Sequence, residues 1–94
     1  MEIFLIQEAV ERIKLMEDAF DQLQKAEAQD AAMIFVDASL KNLLQVLQQY
    51  YEGGEWLKDY ELDEKGLLPQ ELKRGVLAQD EVYNFLERIE NFNH

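Results

Sequence analysis

Between residues 6 and 23 the apolar positions Ile6, Ala9, Ile13, Met16, Phe20 and Leu23 recur at three- and four-residue intervals, one stripe along a helix that Val10 widens. From Met1 to Glu52 there is no Gly or Pro and strong helix formers dominate, so helix is predicted throughout this half. Carried further, the same register would bury Glu27, Asp30, Asp37, Lys41 and Gln48, where unpaired charge is costly. The stripe restarts instead, one residue out of phase, as Met33, Val36, Leu40, Leu43, Leu47 and Tyr50, with Leu44 and Tyr51 beside it. A one-residue slip turns a helical face by about 100°. The expected solution is a turn near residues 25–30, a second helix capped by Gln29 or Asp30, and two stripes facing each other in an antiparallel hairpin. A single kinked helix paired with a second copy, a homodimer, is the alternative. Glu8/Arg12, Asp21/Lys25 and Asp37/Lys41 stand at i,i+4 in the favourable order and are expected to support the helices.

The second half is punctuated differently. Gly53-Gly54 is expected to end the second helix, since Gly takes the left-handed conformation needed just past a helix C-terminus. A short helix follows in which Trp56 and Tyr60 share a face, joined by Leu57, until Gly66 stops it. Leu68-Pro69 marks another start, giving a short helix over 69–74 closed by Gly75. The last helix is expected over 79–91, burying Val82, Phe85, Leu86, Ile89 and Phe92, with Asp80 and Glu81 at the positive end of its dipole. No segment alternates like a strand. The fold expected is therefore all-α: a long antiparallel helical hairpin (1–52), an aromatic-acidic segment (53–66), and a short helix plus C-terminal helix (67–94).

With 94 residues the chain reads as one domain, able to bury about two-thirds of its unfolded surface. Its formal charge of -11 repels phosphate backbones and anionic lipid surfaces and draws in cations or basic partners, so neither nucleic acid nor a membrane is expected. The run Ile3-Phe4-Leu5-Ile6 is too short for a signal-peptide core or a membrane span and has no basic residues before it, which makes a soluble cytoplasmic protein the expectation. These residues are apolar on all sides, so either the last helix packs across them or they form a partner surface.

The absence of Cys removes thiolate chemistry and sulfur-ligated metals, while one Ser (Ser39, within a helix) and one His (the terminal His94, expected to fray) supply nucleophilic catalysis poorly. Carboxylates are the remaining resource. Glu8/Glu11, Glu52/Glu55, Glu61/Glu64 and Glu87/Glu90 match the E-x-x-E spacing by which helical phosphohydrolases hold magnesium, but 20 acids in 94 residues produce about four such acid pairs by chance. Asp59, Glu61, Asp63 and Glu64 echo a calcium loop, yet its sixth position holds Glu64 in place of Gly and its twelfth holds Gln70 in place of Glu. A looser cation site at Glu55, Asp59 and Asp63 competes with internal pairing, in which Lys73-Arg74 folds back on the acidic segment; the latter relieves like-charge repulsion along the helix. No metal or cofactor is expected.

The run WLKDYELDEKGLLPQELKRGVLAQDEVYNFL, Trp56 to Leu86, resembles a domain-of-unknown-function family (DUF4298-like) of short acidic helical bacterial proteins. Trp56-Leu57, Asp59-Tyr60-Glu61, Asp63-Glu64, Leu68-Pro69, the string Leu72-Lys73-Arg74-Gly75-Val76-Leu77, Asp80 and Val82-Tyr83 carry the likeness. The resemblance implies a small helical bacterial protein and brings no activity with it. The family's usual hydroxyl residue is replaced by Ala78, which implies that this chain lacks an oxygen to cap its last helix.

These readings favour a non-enzymatic interaction module that presents an acidic surface to a basic or helical protein partner through Trp56, Asp59, Tyr60, Asp63, Glu64, Lys73 and Arg74, unless those residues are structural. A carboxylate-metal phosphohydrolase is one alternative. A second is a small helical secretion partner, suggested by Tyr51/Glu55, Tyr60/Glu64 and Tyr83/Glu87, although Trp56 lacks the Trp-x-Gly turn of that kind. Nucleic-acid mimicry rests on net charge alone.

Overall fold

A computed structural model describes residues 2–78 and 80–92. Met1, Gln79 and His94, at which the sequence places a helix start, another helix start and a frayed end, lie outside them. The described residues contain five α-helices and one 3-10 turn, joined by turns and loops, with no strand: α1 (Glu2–Asp30), α2 (Met33–Val36), α3 (Ala38–Glu52), α4 (Glu55–Glu64), the 3-10 turn Gly75–Leu77, and α5 (Glu81–Phe92). At about 1.5 Å per residue, α1 alone accounts for the 43 Å long axis of the molecule. The other elements pack against it.

The first stripe behaves as its spacing predicts: Ala9, Ile13, Met16, Phe20 and Leu23 are buried. The second half of the hairpin differs in three ways. Gln29 and Asp30 still belong to α1, and Asp30 Oδ1 accepts a hydrogen bond from the Ala32 N–H at 3.1 Å, so Asp30 secures the turn rather than starting a helix. The return limb is broken at Asp37, whose extended backbone ends α2 while its side chain accepts from Leu40 N at 3.0 Å and caps α3. That break rephases the helix. Ile34 turns inward with Leu44, Leu47 and Tyr50, whereas Met33 and Val36 face outward. Among the expected i,i+4 pairs, Asp21–Lys25 forms at 3.1 Å. Asp37 is used as a cap instead of pairing with Lys41, and Arg12 turns away from Glu8 to a distant partner.

Gly54 takes φ 98° and joins α3 to α4. Gly66, at φ 72°, ends α4: its N–H bonds the Asp63 carbonyl at 3.0 Å and the Leu67 N–H bonds that of Leu62 at 3.1 Å, closing the helix C-terminus on itself. The expected helix over 69–74 does not form. A single turn links Leu72 N to Pro69 O at 3.2 Å, after which the carbonyls of Pro69 and Leu72 both point to the Arg74 guanidinium. The chain does not continue as a helix beyond that turn, and the short helical piece appears later, at 75–77.

α5 starts two residues later than expected. Asp80 supplies the carbonyl for its first helical bond, to Asn84 N at 2.8 Å, and Ala78 stands outside the helix in an extended conformation. Val82, Phe85 and Ile89 are buried and Leu86 is partly so, while Phe92 remains 54% exposed and stacks on Phe35 with centroids 6.0 Å apart. This helix does not cover the start of α1. It meets the far half of α1, where Phe85 packs edge-on against Phe20 at 5.5 Å and Arg88 bonds Glu27, leaving Ile3, Phe4 and Leu5 at 70, 72 and 59% exposure.

Candidate functional site

The aromatic-acidic segment docks on the hairpin through a charge it buries. Asp59, one turn after Trp56 on the inward face of α4, is fully buried and is the sole polar side chain in the core of the described residues. Arg12 Nε reaches its Oδ2 at 3.0 Å and Arg12 Nη2 its Oδ1, while the Tyr50 hydroxyl donates to Oδ2 at 2.8 Å. The two-pronged guanidinium contact satisfies both carboxylate oxygens, which is the arrangement a buried charge requires. α1, α3 and α4 are thereby joined at one point. Burial first, and the bond to Asp59 second, push the Tyr50 hydroxyl's ionisation well above its usual range, and the same bond raises Arg12 further. Arg12 also lies 3.7 Å from Glu55.

A second arginine ties the following loop to α4. Arg74 pairs with Asp63 through Nη1, and its Nε and Nη2 take the carbonyls of Leu72 and Pro69. Beyond it, the Val76 N–H donates to Glu17 Oε1 at 2.8 Å, and the Val76 carbonyl accepts from Trp56 Nε1 at 2.7 Å. Gly75 permits the first of these contacts, since a Cβ there would stand 3.1 Å from Glu17 Oε1. Leu72, Val76 and Leu77 are buried. In the string from Leu72 to Leu77, only Lys73 has no evident task in the fold.

Outside this framework Tyr51, Trp56 and Tyr60 form an unbroken row of rings, the first pair edge-on at 5.2 Å and the second stacked at 5.1 Å. All three are half-buried. The Glu64 carboxylate, acting first by like charge, holds the Tyr60 hydroxyl protonated to higher pH than usual, and the neighbouring Glu87 carboxylate does the same at Tyr83. The Tyr-x-x-x-Glu spacing is thus met locally at these two positions, by neighbours on one helix face.

The seven candidates separate into two groups. Asp59, Asp63 and Arg74 are structural and consumed in ion pairs, and Trp56 is fixed by its hydrogen bond. Tyr60, Glu64 and Lys73 reach the surface. The expected return of Lys73-Arg74 onto the acidic segment occurs through Arg74 alone. Arg12 and Tyr50 are the residues the sequence reading missed. Their signal was present: a carboxylate three residues after Trp56 shares its inward face and demands a cation. Among the described residues no three carboxylates converge to hold a metal ion.

A helical hairpin whose open end is closed by a short acidic helix, pinned through a buried Arg–Asp–Tyr contact, defines a small all-α protein. The chain belongs to the family described as Domain of unknown function (DUF4298), whose model matches residues 8–93 and so takes in most of the hairpin as well as the segment carrying the likeness. No curated protein and no solved structure matches it. No helix among the described residues is long and apolar enough to cross a membrane.

Proposed function

We propose that this protein is a non-enzymatic interaction module of the bacterial cytoplasm, offering an acidic face edged with aromatic rings to a basic protein partner. The observation that carries this reading is the Tyr51–Trp56–Tyr60 row. Trp56 is immobilised by its bond to Val76, so the rings are ordered before any partner arrives, and exposed Glu52, Glu55 and Glu64 flank them in the chain. Arginine suits such a surface, because its guanidinium stacks on rings while pairing with carboxylates. The arrangement of the acids also supports binding over catalysis: the carboxylates drawn inward, Asp59 and Asp63, are already held by arginines.

The test is capture from native lysate with the tagged protein and with a Tyr60→Ala/Glu64→Gln variant, whose changes lie outside the buried contacts. The expected result is a stoichiometric partner with a basic surface, lost with the variant and released in about 1 M salt, where the Debye length falls to about 3 Å. A partner retained equally by both proteins, or one without a basic surface, would sink the reading.

A further inference from the structure

A groove of about 480 Å³ runs along α1 from Val10 to Asp21, walled on its other side by the loop from Pro69 to Lys73. We infer that this groove is the docking site for an extended peptide segment of a basic partner, in which an aliphatic residue neighbours Lys or Arg; the inference rests on the interaction-module reading and adds a second contact surface to it. Three properties of the groove choose that occupant.

The first is length. Eleven helical steps at ~1.5 Å each give a channel of about 16 Å, the span of about five extended residues. The second is the apolar part of the lining, where Val10, Pro69 and Leu72 bring hydrocarbon surface among the charged side chains and so accept an aliphatic side chain. The third is charge. Asp21 is paired with Lys25, but Glu17, Asp18 and Glu71 still outnumber Lys14 and Lys73 along the groove, and the whole molecule carries -11, so a cationic chain is drawn in and an anionic one repelled.

The lysines discriminate between cationic occupants. Lys14 and Lys73 also line the groove, and neither forms an ion pair among the described residues. An extended peptide presents backbone carbonyls that accept from these ammoniums. A linear polyamine has the charge and the methylenes but no acceptor, and would set its ammoniums against theirs. Strand-like pairing with the wall is also disfavoured, since the Pro69 and Leu72 carbonyls are already held by Arg74. Recognition therefore falls to side chains.

The experiment is fluorescence anisotropy of a rhodamine-labelled, end-blocked peptide of alternating Leu and Arg, titrated with the full chain. Asp18→Asn/Glu71→Gln changes two exposed groove residues, and Glu61→Gln/Glu81→Gln removes the same charge at exposed positions elsewhere. The expected result is a dissociation constant raised about tenfold by the groove variant and less than about twofold by the control. Equal weakening by both variants would show attraction by the mean field only and overturn the proposal, as would the absence of binding or tighter binding of spermine. Loss of binding in Tyr60→Ala/Glu64→Gln with none in the groove variant would remove the groove and leave the interaction-module reading standing.

Discussion

Replacing Asp59 by Asn preserves the shape of the side chain and removes the charge on which Arg12 Nε, Arg12 Nη2 and the Tyr50 hydroxyl converge. An amide offers these donors one oxygen and turns its own N–H groups against the rest. Asp59 is fully buried whereas Arg12 keeps 23% of its side-chain surface, so water can partly rehydrate the guanidinium but cannot reach the amide. Breaking a buried ion pair from one side costs about 3–5 kcal/mol, and the open edge of Arg12 sets this case near the lower bound. A domain of this kind has about 5–15 kcal/mol in total. A loss of about 3 kcal/mol lowers the urea midpoint by about 1–3 M, given a slope of about 1–3 kcal/mol per molar, and the melting temperature by about 12–24 °C. Urea and thermal melts followed by far-UV circular dichroism measure both. A loss below about 1 kcal/mol would refute the reasoning. So would simple additivity in Arg12→Met/Asp59→Leu, which removes both charges and is expected to be less destabilised than the sum of its single replacements.

Three further outcomes follow from the same framework. The folded chain keeps the Tyr50 proton at a pH where the unfolded chain loses it, near ~10, so this contribution is whole below that pH and drains away above it. The stability gap between wild type and Tyr50→Phe should accordingly shrink as urea melts are repeated at rising alkaline pH, and a constant gap counts against the contact. Gly54→Ala should cost about 1–2 kcal/mol through the left-handed backbone alone, since no atom lies within 4 Å of the added methyl group; an unchanged urea midpoint would contradict this. Trp56, held by Val76 between two tyrosine rings, should emit at shorter wavelength than free Trp and resist acrylamide, whereas a red-shifted, easily quenched emission would place it outside the packed row.

The first apolar stripe, the Gly54 and Gly66 helix ends and the shared face of Trp56 and Tyr60 were legible in the chain because each depends on residues a few positions apart. The phase of the return limb was not. Met33 and Val36 fit the helical spacing as well as Ile34 does, and only the use of Asp37 as a cap rotates one past the other. The failed helix over 69–74 has a similar cause: the Pro69 and Leu72 carbonyls turn to an arginine, Arg74, that is itself paired with Asp63 on α4, a contact local propensity does not contain. Asp59 is visible in the chain as a candidate, for an acidic surface or for internal pairing with Lys73-Arg74, but its actual partner, Arg12, lies 47 positions away and belongs to no local pattern.

The sequence by itself determined the helical class, the first apolar stripe and the strong acidity, since helical periodicity is local and charge is additive along the chain. Only the tertiary structure decided which carboxylate goes inside, which arginines neutralise it and its neighbour, and which residues remain to meet a partner. Arg12 and Asp59 are 47 positions apart, and the burial that makes their contact strong exists only once α1, α3 and α4 have met.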